Sequence, residues 1–127
     1  MRAKDIMTKD VITISAYAPI YELTKLLAEN DISGVPVCDE SGKVIGMVSE
    51  ADLIALKNGS RVVDIMNPEV IAVSPETPVE EVAVVLHTKK IKRVPVYEKD
   101  QMVGIISRAD IVAAMAKRHM ERVESSS

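Results

Sequence analysis

The sequence predicts an α+β fold made of two tandem β-α-β-β-α repeats, and three observations support this prediction. A set of short motifs occurs twice in the 127 residues, at a nearly constant spacing. Each copy alternates short apolar runs, typical of strands, with segments whose apolar residues have helical spacing. Hydrophobic residues form 47% of the chain but include no Phe or Trp, so the core must be packed from Val, Ile, Leu, Met and Ala.

The duplication keeps its register over most of the chain. The offset between copies is 59 up to the Val-Pro-Val element and 58 after it. The offset changes because the polar turn Asp39–Gly42 of copy one corresponds to the shorter polar turn Glu98–Asp100 of copy two. A change of length costs little in such a turn. The matched segments are Asp5–Met7 with Asp64–Met66, Val35–Val37 with Val94–Val96, and Gly46–Asp52 with Gly104–Asp110.

Three strands are predicted in each copy. The first is a short apolar run, Val11–Ile14 in one copy and Val70–Val73 in the other. The next two strands are joined by the polar turns as hairpins. The hairpin strands are Val35–Cys38 with Val44–Val48, and Val94–Tyr97 with Met102–Ile106.

Two helices are predicted in each copy. The first helix of copy two has a strong start signal, with Thr77 as N-cap, Pro78 at the first helical position and Glu80 completing a capping box. The second helices begin at Ser49 and Ser107. We expect the last helix to run to about residue 122.

We expect the first repeat to span residues 1–57, a linker to span 58–63, the second repeat to span 64–122 and a flexible tail to span 123–127. A repeat of this size buries little surface alone, so the two are expected to pack on each other around a pseudo-twofold axis.

Composition argues against several classes of function. The formal net charge of −3 does not suggest a nucleic-acid binder, and no nucleic-acid partner is expected. Cys38 is the single cysteine, so an intramolecular disulfide is impossible. Because the sequence shows neither a secretion signal nor an apolar stretch of membrane-spanning length, we expect a soluble, cytoplasmic protein without a membrane partner.

The repeated motifs resemble the CBS domain pair, or Bateman module. The resemblance covers the chain from about Lys4 to about Lys117 and rests on the order of the elements, given twice in register. Each motif alone is weak. The elements are Asp-Ile-Met, a strand, a helix, an x-Val-Pro-Val strand and a Gly-x-x-Ser-x-x-Asp turn.

The resemblance implies a stand-alone regulatory module that senses an adenine nucleotide (AMP, ADP or ATP) or a related ligand such as S-adenosylmethionine in the clefts between the repeats. It also implies a homodimer, an effector protein acting in trans, no required cofactor and no enzymatic activity. A ligand-free dimerisation scaffold is the main alternative. An enzyme, for instance a nucleotide hydrolase, is a further alternative that no motif in the sequence supports.

Two serine–aspartate pairs are the candidates for binding sugar and phosphate. In Ser49-Glu50-Ala51-Asp52 and in the matching Ser107–Asp110 segment, a carboxylate three residues after a serine fits a helix capping box. Both groups also lie where a strand meets a helix N-terminus, which suits a phosphate. The resemblance favours binding, with Asp52 and Asp110 as ribose acceptors and Ser49 and Ser107 as phosphate ligands.

Lys92 and Arg93 are further candidates for binding phosphate. They directly precede the second Val-Pro-Val strand, and basic residues at this point contact phosphates in nucleotide-binding members of the family the chain resembles. A charged, solvated helix end explains cations here equally well. Copy one has Ser33 and Gly34 at the corresponding positions, so the two clefts are predicted to be unequal.

By resemblance, an adenine ring would lie against the first strand and the Val-Pro-Val strand of a copy. An ordinary core position is the preferred interpretation for most of the aliphatic residues in this set. No metal site is predicted, because Cys38, His87 and His119 lack ligand spacing. The adenine candidates are Thr8, Ile12, Thr13, Ser33, Gly34, Val35 and Pro36 in copy one, and Asn67, Ile71, Ala72, Val94 and Pro95 in copy two.

Overall fold

The computed structural model describes residues 1–55 and 57–126 and divides into two compact units. The first-repeat unit is Ile12–Val70, and the second-repeat unit joins Met1–Val11 to the chain from Ile71 onward. Leu56, within the predicted first repeat, and Ser127, the end of the predicted tail, lie outside the described residues.

The mixed α+β character predicted from the sequence is confirmed. In chain order the elements are α1 (Ala3–Ile6), β1 (Ile14–Ser15), α2 (Ile20–Asn30), β2 (Gly34–Cys38), β3 (Val44–Ser49), α3 (Glu50–Ile54), α4 (Val62–Ile65), α5 (Val79–Thr88), β4 (Arg93–Glu98), β5 (Gln101–Ser107) and α6 (Arg108–Ser126).

The first-repeat unit contains a three-stranded sheet of order β1-β2-β3. Strand β1 is parallel to β2, and β2 is antiparallel to β3, with Gly34 opposite Ser49 and Val35 opposite Val48. Strand β1 begins only at Ile14, where the predicted strand Val11–Ile14 ends. The sheet faces a buried aliphatic cluster, which includes Leu23 from α2.

The second-repeat unit has a two-stranded antiparallel sheet, β4-β5, and the predicted strand Val70–Val73 is reduced to one parallel bridge between Val73 and Val96. A proline explains the difference. In copy one, Ala16 N–H donates to Cys38 O at 3.0 Å and extends the ladder. The equivalent residue in copy two is Pro75, which has no N–H to donate.

The predicted capping box at the start of α5 is not formed. The helix begins at Val79, with Pro78 rather than Thr77 at its N-cap. The Thr77 hydroxyl instead accepts the N–H of Ser74 at 3.0 Å, closing the turn that precedes the helix. Glu80 forms an ion pair with Arg118 of α6 at 2.6 Å, so its carboxylate serves a tertiary contact.

Two helices differ in extent from the prediction. Helix α6 continues to Ser126, beyond the predicted end near residue 122 and into the predicted tail. The predicted linker 58–63 overlaps the short helix α4, which begins at Val62.

Each unit contains a short segment that belongs to the other repeat in sequence. In the second-repeat unit, Ala3 N–H donates to Thr77 O at 2.8 Å. In the first-repeat unit, Val62 N–H donates to Ala18 O at 2.9 Å. We call residues 1–11 and the segment that begins at Val62 the leading segments, because each precedes the first strand of a repeat in sequence. Residues 1–11 precede the first repeat but hydrogen-bond to the second, and the segment at Val62 precedes the second repeat but hydrogen-bonds to the first. The two compact units therefore cross the boundary between the sequence repeats.

The repeated Asp-Ile-Met motif has a structural explanation. The Asp5 carboxylate accepts the N–H of Arg2 at 2.7 Å, and the Asp64 carboxylate accepts the N–H of Arg61 at 2.9 Å, which caps α1 and α4. Met66, which follows α4, covers a glycine of the adjacent strand, because a Cβ built on Gly46 would lie 2.6 Å from its sulfur.

The predicted aliphatic core is confirmed, since the buried hydrophobic side chains are all Ala, Ile, Leu or Val. Tyr17 and Tyr21 are exposed. Across residues 1–55 and 57–126, no helix has the length and apolar character required to cross a bilayer.

The equivalent glycines Gly46 and Gly104 should differ in their tolerance of alanine. A Cβ on Gly46 would lie 2.7 Å from the backbone oxygen of Asn67, which accepts the N–H of Met47, while the N–H of Asn67 donates to Met47 O. The three atoms nearest to a Cβ on Gly104 would all belong to the side chain of Met7, with the sulfur at 2.5 Å. We expect Gly46→Ala to lower the free energy of unfolding by about 1–3 kcal/mol, measured by urea denaturation, and Gly104→Ala to cost less.

A double-mutant cycle provides the control for this prediction. Met7→Ala should relieve most of the loss caused by Gly104→Ala, because it removes the sulfur and Cγ that lie nearest the new methyl group and leaves only Cβ, at 3.0 Å. Met66→Ala should relieve less of the loss caused by Gly46→Ala, because the backbone oxygen of Asn67 remains. Equal losses in the two single variants would contradict this account.

Candidate functional site

The junction of β5 and α6 forms a capping box from two predicted site residues. Ser107 N–H donates to Asp110 Oδ2 at 2.8 Å, and the Ser107 hydroxyl donates to the same oxygen at 3.1 Å. Asp110 N–H donates back to Ser107 Oγ at 3.3 Å. Within the part of the chain that the structure describes, no hydrogen bond or ion pair engages Asp110 Oδ1, so a half-buried carboxylate keeps an acceptor available.

The predicted phosphate ligands of the second repeat lie beside this capping box. Arg93 is directly opposite Ser107 in the antiparallel pair, so their side chains share one face of the sheet. The carbonyl oxygen of Lys92 accepts the N–H of Arg108 at 2.9 Å, which holds the start of β4 against the start of α6. The structure therefore brings Lys92, Arg93, Ser107 and Asp110 together at one corner of the second-repeat unit.

The junction of β3 and α3 repeats the capping box but differs in one contact. Ser49 N–H donates to Asp52 Oδ2 at 2.9 Å, and the serine hydroxyl donates to it at 3.3 Å. The second oxygen, Asp52 Oδ1, forms an ion pair with Lys57 Nζ at 2.7 Å. Lys57 was not predicted as a site residue, and the only sequence signal for it is that Met115 occupies the matching position in copy two.

The first-repeat junction also lacks basic residues at the strand start. Gly34 lies opposite Ser49, and the Ser33 carbonyl oxygen accepts the N–H of Glu50 at 2.8 Å. The backbone geometry is thus the same at both junctions. The side chains differ: a lysine and an arginine precede the Val-Pro-Val strand in the second repeat, and a serine and a glycine precede it in the first.

The predicted adenine-contacting residues fall into two groups by exposure. Thr8, Ile12, Thr13, Asn67 and Ala72 are exposed, and Ser33 and Ile71 are partly exposed. The remaining residues are buried, with Val94 at 0% relative exposure. Contact with a ligand through side chains is therefore open to the exposed group. The buried residues are Gly34, Val35, Pro36, Val94 and Pro95.

Thr8 was predicted to contact adenine with copy one and Asn67 with copy two, but each lies in the unit of the other copy. Thr8 exchanges two backbone hydrogen bonds with Ile105, at 2.9 and 3.0 Å, in the second-repeat unit. Asn67 does the same with Met47 of the first-repeat unit, at 2.8 and 2.9 Å. Thr8 thus shares a unit with the second Val-Pro-Val strand and Asn67 with the first, because of the exchanged leading segments.

Cys38 lies at the end of β2, next to a predicted adenine contact. Burial raises the pKa of the Cys38 thiol, and a hydrogen bond from Thr13 partly offsets this effect by stabilising the thiolate. The thiol is therefore a weaker nucleophile at neutral pH than a free cysteine. In the described ranges, no group of three or more His, Cys, Asp or Glu side chains could hold a metal ion.

A groove between α5 and α6 is a further surface feature of the second-repeat unit. Its volume is about 390 Å³, and its apolar walls include Val79, Ala83, Ile111 and Met115. The side chain of Met115 is 63% exposed, as is that of Met120 on the same helix. This surface was not predicted from the sequence.

Comparison of the sequence with known proteins identifies the repeats. The sequence profile of the CBS domain matches residues 3–59 and again residues 62–117. Inosine-5'-monophosphate dehydrogenase of Thermoplasma acidophilum is 34% identical over 112 residues, which are 87% of this chain and 23% of that enzyme. The chloroplast CBS domain-containing protein CBSX1 of Arabidopsis thaliana is 32% identical, over 87% of this chain and 62% of that protein.

Two similar solved structures contain adenosine compounds. The CBS domain pair of protein MJ0100, in complex with 5'-methylthioadenosine and S-adenosyl-L-methionine, matches with a TM-score of 0.86 and 30% identity, covering 93% of this chain and 98% of that chain. CBSX2 of Arabidopsis thaliana in complex with AMP matches with a TM-score of 0.87 and 27% identity, with the same coverage.

The contact between Thr13 and Cys38 should be visible in the pH dependence of thiol alkylation. We expect the midpoint of the alkylation rate to lie above that of a free cysteine, because burial disfavours the thiolate. Thr13→Val should raise this midpoint further, since it removes the hydroxyl that donates to the thiolate, and Thr13→Ser should not. A lower midpoint in Thr13→Val than in the unmodified protein would refute the contact.

Proposed function

The chain belongs to the CBS domain family, and from this premise we propose that it is a regulatory module that binds an adenosine-containing ligand. The matched segment covers 23% of the length of inosine-5'-monophosphate dehydrogenase, so most of that enzyme lies outside the tandem pair. We therefore assign it a regulatory role rather than a catalytic one.

The compounds in the similar structures support an adenosine ligand. AMP, S-adenosyl-L-methionine and 5'-methylthioadenosine share an adenine ring and a ribose, and they differ in the substituent at the 5' carbon. A site common to these ligands must recognise the shared nucleoside. We propose that the same nucleoside is recognised here, as AMP, ADP, ATP or a related adenosyl compound.

The observation that carries the proposal is the corner formed by Asp110, Ser107 and Arg93. The available oxygen of Asp110 suits the two hydroxyls of a ribose, and a hydrogen bond to a charged acceptor contributes about 1.5–3 kcal/mol. Arg93, with Lys92 beside it, suits a 5' phosphate, since a guanidinium binds phosphate in a bidentate manner. These cations favour a phosphorylated nucleoside over S-adenosylmethionine at this corner.

The exposed residues of the second-repeat unit provide a surface for the adenine ring. Thr8 and Ala72 are exposed and Ile71 is partly exposed, while the buried Val94 and Pro95 would offer only backbone groups. In the first-repeat unit, Ile12, Thr13 and Asn67 are the exposed counterparts. A small apolar surface with backbone hydrogen-bonding groups matches the general character of a nucleobase site.

Binding regulates only if the ligand prefers one state of the protein. A ligand with equal affinity for two conformations or assemblies changes neither population, however tightly it binds. We propose that ligand binding changes the conformation or assembly of this chain, and that an effector protein in trans binds one of these states in preference to the other.

We also propose that the chain forms a homodimer, as the family resemblance implies. The apolar groove between α5 and α6 would contribute to the contact, together with the exposed side chains of Val112, Met115 and Met120 on α6. Exposed apolar side chains concentrated on one helix are typical of a protein interface.

Asp110→Asn is the sharpest test of the ligand site. Asparagine keeps an oxygen that accepts from Ser107 N–H and preserves the cap, but it removes the charge that strengthens the bonds to ribose. We expect affinity for AMP, measured by isothermal titration calorimetry, to fall about 10- to 100-fold at this site.

Asp100→Asn is the matched control for this experiment. It removes the same charge from the same unit, in the turn between β4 and β5, where asparagine tolerates the positive φ of 64°. We expect its affinity for AMP to equal that of the unmodified protein. Unchanged affinity in Asp110→Asn would remove Asp110 from the site, and no binding of any adenosyl compound to the unmodified protein would favour the ligand-free scaffold.

The dimer proposal predicts that a charged residue placed in the groove lowers the molar mass of the assembly in solution. Met115→Glu places a carboxylate on a side chain that is 63% exposed, so the fold should persist while an apolar contact between copies is weakened. Light scattering after size-exclusion chromatography should show a shift from dimer toward monomer. Gln101→Glu, on the exposed end of β5, is the control, and a monomeric unmodified protein would contradict the proposal.

A further inference from the structure

We propose that Lys57 competes with the ligand at the first repeat by holding the carboxylate of Asp52. The inference rests on the proposed function, in which these aspartates accept ribose hydroxyls. It adds a residue that sets the difference in affinity between the two repeats. The second repeat then binds an adenosine compound more tightly, because no lysine holds its aspartate among the contacts described for residues 1–55 and 57–126.

The two aspartates differ in how many of their oxygens are engaged. In Asp52, Oδ2 accepts from Ser49 and Oδ1 pairs with Lys57 Nζ at 2.7 Å. In Asp110, the bonds from Ser107 both end on Oδ2. A ribose that approaches Asp52 must therefore displace an ammonium group, whereas a ribose that approaches Asp110 meets an acceptor that is available among the described contacts.

Lys57 is held in place by more than the ion pair. Its Nζ also donates to the carbonyl oxygen of Ile65 at 3.2 Å, at the end of α4. The Asp52 side chain is 17% exposed and the Lys57 side chain is 43% exposed. The carboxylate is thus partly shielded from water while the lysine can leave toward solvent, which is the arrangement expected of a displaceable partner.

The short length of α3 gives Lys57 a different position from that of its counterpart in the second repeat. Helix α3 ends at Ile54, and Lys57 lies beyond its end with Nζ at 2.7 Å from Asp52 Oδ1. Helix α6 instead continues to Ser126. Met115, which matches Lys57, therefore lies five positions after Asp110 on a continuous helix, where the two side chains do not face each other.

Lys57→Met is the direct test, because it gives the first repeat the residue that the second repeat has. Adenosine is the probe, since it carries the ribose but no phosphate that could attract a lysine. Amide chemical shifts of Ser49 and Ser107 in an NMR titration report on the two repeats separately. We expect the dissociation constant read at Ser49 to fall about two- to fivefold, the range of a partly exposed ion pair, and that at Ser107 to stay constant.

Two further variants test whether the gain in adenosine affinity at the first repeat comes from the released carboxylate. Lys25→Met removes the same charge from the same unit, on α2, where Lys25 pairs at 3.9 Å with Glu29, and it should leave both constants unchanged. Asp52→Asn, added to Lys57→Met, should abolish the gain. A gain that survives in this double variant would overturn the inference, because it would not come from the released carboxylate.

Salt gives an independent measurement on the unmodified protein. At about 1 M NaCl the screening length is near 3 Å, so the ion pair weakens and the Ser49 constant for neutral adenosine should approach that of Lys57→Met. No difference between Lys57→Met and the unmodified protein at low salt, with Ser107 still responding, would overturn the inference and leave the proposed function intact. No response of either serine in any variant would overturn both.

Discussion

The backbone pairing of Thr8 with Ile105 and of Asn67 with Met47 is the constraint on which both units depend. Each pairing fixes a segment that is distant in sequence against the middle of a hairpin strand. It also places Met7 and Met66 over the glycines Gly104 and Gly46, where no side chain larger than hydrogen would fit without displacement. The core of each unit is therefore closed by residues that belong to the other sequence repeat, and this closure requires both halves of the chain.

The strand-to-helix junctions show how one arrangement can serve folding and binding together. A serine and an aspartate satisfy the free backbone groups at the start of α3 and α6, and this role needs only one of the two carboxylate oxygens. The other oxygen is what distinguishes the repeats. In the first repeat it is engaged by Lys57, whereas in the second repeat no bond among the described residues engages it, and Lys92 and Arg93 lie at the same corner. The two junctions thus share a backbone geometry but differ in the acceptor that the aspartate offers to a ligand.

Much of the fold could be predicted from the sequence because its signals are local. The hairpin strands and the serine caps follow from apolar runs, polar turns and short capping motifs, and the structure confirms them. The strand predicted at Val70–Val73 was wrong because one missing N–H, at Pro75, decides whether the ladder continues. The capping role of Thr77 failed because its hydroxyl has a competing partner in Ser74. Lys57 could not be predicted as a partner of Asp52, since their contact depends on where α3 stops.

The exchange of leading segments has a consequence for synthesis on the ribosome. The first-repeat unit cannot close until the chain has been made as far as Val70, well after its sheet residues have emerged. Residues 1–11 are made before the rest of the second-repeat unit, and Thr8 has no pairing partner until Ile105 of β5 has been made. The segment that enters this unit first in chain order is thus among the last to be paired, and it stays unpaired while the whole first-repeat unit is being made.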